Sequence, residues 1–146
     1  MIVGTDCALI LDGTGYFVDP TSYAESRPRV HAATITLGAA GGAPAIRFAD
    51  LGPAKRQWTF IVLAHQDMRT YAGEFVAMTG EQYRAALKAS YEKLSTLSFT
   101  DPKGDTFNVY FTDMTYQIED VSAQAAGTGP SSSELQYSIH VTLLEA

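Results

Sequence analysis

The chain has 146 residues, 10 of them basic and 16 acidic, for a formal charge of −6. That length suits one domain able to bury its own core, and an acidic balance without a basic run disfavours nonspecific phosphate binding, which rests on counterion release by Lys and Arg. Cys7 is the single cysteine, so no intrachain disulfide is available, which fits a reducing compartment.

The first residues, Met1 to Asp6, carry no positive n-region, and no secretory signal is expected from them. Two apolar runs, Ala8-Leu9-Ile10-Leu11 and Tyr16-Phe17-Val18, flank Asp12-Gly13-Thr14-Gly15, which reads as a β-hairpin. The Gly-x-Gly inside it has no third glycine at the right spacing and opens no helix, so a phosphate-binding loop is the weaker reading. Asp19 to Pro28 is polar, bounded by prolines, and reads as a loop. Ala33, Ile35 and Leu37 alternate with threonines as a half-buried strand. Gly38 to Pro44 reads as a flexible turn, and Ile46 and Phe48 as another short strand.

Lys55 to Ala64 places Trp58, Phe60 and Val62 on one face of a strand. Ile61 and Leu63 make its middle apolar on both faces, as expected of a strand covered on both sides or used at a subunit interface. Phe60 to Ala64 is also the longest clearly apolar run, far short of the ~20 residues that span a bilayer. A turn is expected near Gln66-Asp67. Tyr71 to Met78 is ambiguous between strand and helix lead-in.

Thr79 and Gln82 have the spacing of a capping box, and Tyr83, Leu87, Leu94 and Leu97 form an apolar stripe at helical period. The spacing predicts one helix over about 79–97. Asp101-Pro102-Lys103-Gly104 is a turn. Phe107, Val109 and Phe111 then follow at period two, and Thr115 to Val121 reads as a further strand with Tyr116 and Ile118 on one face. The Ser/Ala/Gly-rich stretch at about 122–134 is expected to be a flexible loop. Leu135, Tyr137, Ile139, Val141 and Leu143 alternate strictly with polar residues, the clearest strand in the chain. Residues 1–146 thus read as a single mainly β domain with one α-helix: an antiparallel β-sandwich or split barrel with the helix packed across one sheet.

Little of this pattern carries chemistry. His31, His65 and His140 are scattered, and no metal-ligand spacing or nucleophile elbow occurs. Cys7 reads as a small buried hydrophobe. Asp101 and Asp105 bracket a turn, as Asp12 and Asp19 do more loosely, in places where turns prefer aspartate. The aromatics, Trp58 with 8 tyrosines and 7 phenylalanines, read as core and interface packing. No catalytic, cofactor-binding or metal residue is assigned.

The stretch from Leu97 to Asp113, the closing Tyr137 to Glu145, the Arg56 to Phe60 strand and the helix from Thr79 together resemble tail proteins of long-tailed bacteriophages, over roughly residues 55 to 146. The resemblance is to the tail-tube, distal-tail and minor-tail ring family. It implies a β-sandwich or split barrel with one flanking helix. It also implies a non-enzymatic virion component without a cofactor, made in the bacterial host cytoplasm and assembled with other tail proteins. Its homo-oligomer would be a ring, a hexamer by the resemblance, around a channel through which DNA passes without specific binding. The chain is short for a full distal-tail protein, which favours a tube, adaptor or baseplate ring. The alternative is a carbohydrate- or ligand-binding β-sandwich module of a baseplate or receptor-binding assembly, with aromatics such as Trp58 exposed. A small hydrolase built from Asp and His is a third reading.

Overall fold

The computed structural model describes residues 1–36, 45–65, 68–119 and 135–146; within these, 31–36 and 45–51 are described by their backbone alone. The expected turns at 38–44 and 66–67 and the expected loop at 122–134 lie outside the described residues. The strands are β1 (Leu9–Leu11), β2 (Thr14–Val18), β3 (Ala24–Ser26), β4 (Arg29–Thr36), β5 (Ala45–Pro53), β6 (Gln57–Ala64), β7 (Leu97–Thr100), β8 (Thr106–Ile118) and β9 (Tyr137–Glu145). Among the described residues the one α-helix, α1, is Gly80–Tyr91, between β6 and β7. The protein is mainly antiparallel β with a single helix.

The β1–β2 hairpin turns at Asp12 and Gly13, both at positive φ (52° and 82°), the geometry that two-residue hairpin loops require. Seven strands run in the order β2-β1-β7-β8-β9-β6-β3, and β2 also pairs with β6 at Phe17–Leu63 and Val18–Val62. The pairing returns on itself, so β2, β1, β7, β8, β9 and β6 close one barrel rather than two stacked sheets. β3 lies along the rest of the β6 edge, with Glu25 opposite Trp58. Between β2 and β3, Asp19 donates its N–H to the Ile61 carbonyl (3.0 Å), and Ser22 Oγ accepts the Ile61 N–H (2.9 Å).

Alternation decides which side chains enter the barrel. Trp58, Phe60, Val62 and Ala64 of β6 stand opposite Leu143, Val141, Ile139 and Tyr137 of β9, and all eight are buried. Leu9, Leu11, Leu97, Phe99 and Val109 complete the wall. Phe99 packs edge-on to Trp58, with ring centroids 5.2 Å apart. Burying such side chains stabilises by about 1.5–3 kcal/mol each.

The capping box of α1 is present. Gln82 donates its N–H to Thr79 Oγ1 (3.2 Å), and Thr79 donates its own to Gln82 Oε1 (2.9 Å). Tyr83 and Leu87 are buried against the barrel, with the Tyr83 ring 5.9 Å from that of Tyr16. The helix ends at Tyr91, not near residue 97. Leu97 is taken by β7, where it pairs with Val109, and Leu94 is fully exposed in the turn between (100%). The helical spacing of these two leucines is coincidental.

Three other readings are settled differently or more narrowly. Asp19 to Pro28 is not all loop, because β3 forms within it; its Ala-Glu-Ser carries no apolar pattern, and all three residues are exposed. The two expected strands after the helix are one strand, β8, interrupted by a bulge between Phe111 and Asp113. Thr112 is the extra residue, and it moves the inward side chains from Phe107, Val109 and Phe111 to Met114, Tyr116 and Ile118. Tyr71 to Met78 forms neither helix nor strand; only a bridge joins Arg69 to Phe75.

Gly80 is where α1 approaches the barrel most closely. A Cβ there would lie 2.2 Å from the Leu135 carbonyl oxygen and 2.5 Å from that of Ala64. Helix propensity alone would have Gly80→Ala stabilise the protein. The backbone clash reverses the sign, and Gly80→Ala is expected to destabilise by about 1–3 kcal/mol in urea titration. Thr79→Ala, which removes the cap without a clash, is expected to cost about 1 kcal/mol.

Candidate functional site

The titratable residues that drew attention in the sequence are held apart. His31 lies in β4, in register with Asp50. His140 stands on β9 between Ile61 and Thr115 of the neighbouring strands. His65 directly follows β6, and its Nε2 is 2.7 Å from Glu119 Oε2. Ser138 Oγ donates to the other oxygen of that carboxylate. The acid therefore sits between histidine and serine, whereas nucleophile activation needs the histidine in the middle. Among the described residues no group of three or more His, Cys, Asp or Glu has metal-holding geometry.

The aspartates that bracket turns serve those turns. Asp101 is fully buried, and its Oδ1 accepts the N–H groups of Lys103 and Asp105, both at 2.9 Å. The Lys103 ammonium lies 3.7 Å from its other oxygen. Asp12 accepts from Ser90 Oγ (2.9 Å) and from the Lys93 ammonium, tying the first hairpin to the end of α1. Cys7 is buried, and burial raises its thiol pKa above the ordinary value.

Trp58 is fully buried and donates Nε1–H to Glu25 Oε1 at 2.8 Å. It offers no exposed ring for a sugar. Among the described residues the most exposed aromatics are Tyr71, Phe75, Tyr91, Tyr110 and Tyr116. Sequence spacing could not separate these from the core set, because Tyr116 belongs to the inward row of its strand and is nevertheless half exposed.

Three surface features bear on assembly. The outward side chains of β6, β8 and β9 line a shallow groove of about 580 Å³: Thr59 and Ile61, then Asp113, Thr115 and Gln117, then His140 and Thr142. No Lys or Arg lines it. Ile61, whose apolar character had suggested an interface, is one wall, while both edges of β6 are already paired. The second feature is a smaller groove of about 250 Å³ between α1 and β8, lined by Arg84, Lys88, Tyr91, Glu92, Met114 and Tyr116. The Arg84 guanidinium stands 5.3 Å from the Tyr116 ring centre. The third is an arm: among the described residues β4 and β5 form a separate two-stranded sheet that is paired to no strand of the barrel. The chain matches no protein-family model and no curated protein.

The Asp12–Lys93 pair has a pH signature. The hydrogen bond from Lys93 holds the Asp12 carboxyl below its ordinary value of 3.8. Its contribution is therefore full above that pH and fades as the pH falls through it and lower. Both groups are partly exposed, so Lys93→Ala is expected to lower stability at neutral pH by about 1 kcal/mol or less. In urea titrations across pH, the difference from the unmodified protein should shrink steadily as the pH falls below the ordinary carboxyl range and vanish once Asp12 is protonated in the folded state. A gap that persists there would mean that Lys93 acts through packing.

Proposed function

We propose that the chain is a structural component of a bacteriophage tail, self-assembling into rings, hexameric by the resemblance, around the DNA channel of a tube, adaptor or baseplate. The observation that carries assembly is the arm. An isolated two-stranded hairpin is at best marginally stable in water, and this one, with strands of 8 and 9 residues, receives no strand pairing from its own barrel among the described residues. Contact with a neighbouring subunit would supply the missing support. The phage assignment rests on the residue pattern of Leu97 to Asp113 and Tyr137 to Glu145, with the Arg56 to Phe60 strand and the helix from Thr79.

The outer groove supports the channel part of this reading. A wall of Thr59, Thr115, Thr142 and Gln117, with Asp113 and without Lys or Arg, makes few counterion-releasing contacts, so DNA would pass along it without adhering.

Light scattering of the purified protein over a concentration series, followed by negative-stain imaging, tests assembly. Closed rings or stacked tubes are the expected result. A monomer at every concentration would contradict it.

A further inference from the structure

Strand β8 is much longer than its partner on one side. β8 has 13 residues, while β7 has 4 and pairs only with Thr106 to Val109. On its other side, β9 pairs with β8 as far as Ile118. From Tyr110 to Ile118 one edge of β8 therefore has no strand partner among the described residues. Alternate residues of such an edge direct their N–H and C=O groups away from the sheet. The side chains here are open to solvent: Tyr110 is 46% and Tyr116 48% exposed, and Thr112, Asp113, Thr115 and Gln117 are exposed as well. The α1–β8 groove borders the same stretch. A long open edge of this kind is a template for an added strand.

The chain carries a strand of matching length that also has an open edge. Among the described residues β4 pairs only with β5. Its segment Val30 to Thr36 contains neither Gly nor Pro and is rich in β-branched residues, whereas β5 ends in Leu51-Gly52-Pro53. The charges are compatible: Val30 to Thr36 contains no acid, and Tyr110 to Ile118 contains Asp113 and no Lys or Arg. The roots of the arm lie at the barrel end where Ser26 meets Gln57 and Leu144 meets Tyr110. The open edge runs from that end towards Ile118, which is paired with Tyr137 at the other end.

We propose that β4 of one copy adds to the open edge of β8 in the next, between Tyr110 and Ile118. The inference rests on the assembly reading above and names its contact. Because donor and acceptor are different surfaces, every subunit gives one strand and receives one. Such a head-to-tail contact closes into a ring when its rotation closes.

Amide hydrogen exchange of the full chain, assembled and diluted, tests it. On assembly, exchange should slow at least ~tenfold in both Val30 to Thr36 and Tyr110 to Ile118, as new ladder hydrogen bonds form. In a second measurement, Thr115→Cys should not cross-link to itself on oxidation; the buried Cys7 stays in place. Protection of Tyr110 to Ile118 alone, with Thr115→Cys self-cross-linking, would mean that two β8 edges pair with each other, and would overturn the proposal. Assembly without protection of either segment would overturn this contact and leave the assembly reading standing. Failure to assemble at any concentration would remove both.

Discussion

The structure depends on how the second edge of β6 is satisfied. One edge of this strand is consumed by β9 along its whole length. The other is met in three pieces: Val62 and Leu63 by β2, Ile61 by Asp19 and Ser22, and Gln57 to Thr59 by β3. Each backbone group left buried and unpaired there would cost on the order of 1–3 kcal/mol, so the pieces act as one requirement. Meeting it bends the sheet round until it closes, and closure removes the edges of β6 from any interface.

The remaining architecture follows from that closure. With β6 held on both edges, strand alternation turns Trp58, Phe60 and Val62 inward, and Leu143, Val141 and Ile139 meet them across the ladder. α1 covers the end where Ala64, Leu135 and Tyr137 gather, and it can come close because Gly80 has no Cβ. Asp12, Ser90 and Lys93 then fix the far end of the helix to the first hairpin. Among the described residues, closure also leaves the upper edge of β8 without a strand partner and the β4–β5 sheet separate from the barrel. Both are remainders of one geometric constraint.

Features set by neighbours in sequence were legible. Asp12-Gly13 announced its hairpin, Thr79 and Gln82 their cap, and Tyr137 to Leu143 their strand, since each depends on local conformation or on a simple period. Features set by distant partners were not. The helix stops at Tyr91 because Leu97 is claimed by Val109, and helical spacing cannot register that competition. β3 exists because the edge of β6 needs it, although Ala24-Glu25-Ser26 has no strand pattern. Thr112 broke the period of β8 and divided one strand into two readings. The candidate site was the least legible part. The open edge of β8 is defined by how short β7 is, and Gly80 by carbonyl groups from two other segments.

The barrel closes without help from the arm. Brief trypsin treatment of dilute protein tests this directly, because Arg47 lies in β5 while β6 is built into the barrel wall. The predicted result is early cleavage after Arg47, giving two fragments that stay associated and still unfold in one cooperative transition, since β1 to β3 remain paired with the strands from β6 onward. Loss of the cooperative transition on that single cut would contradict the account, and would make the arm part of the folded unit.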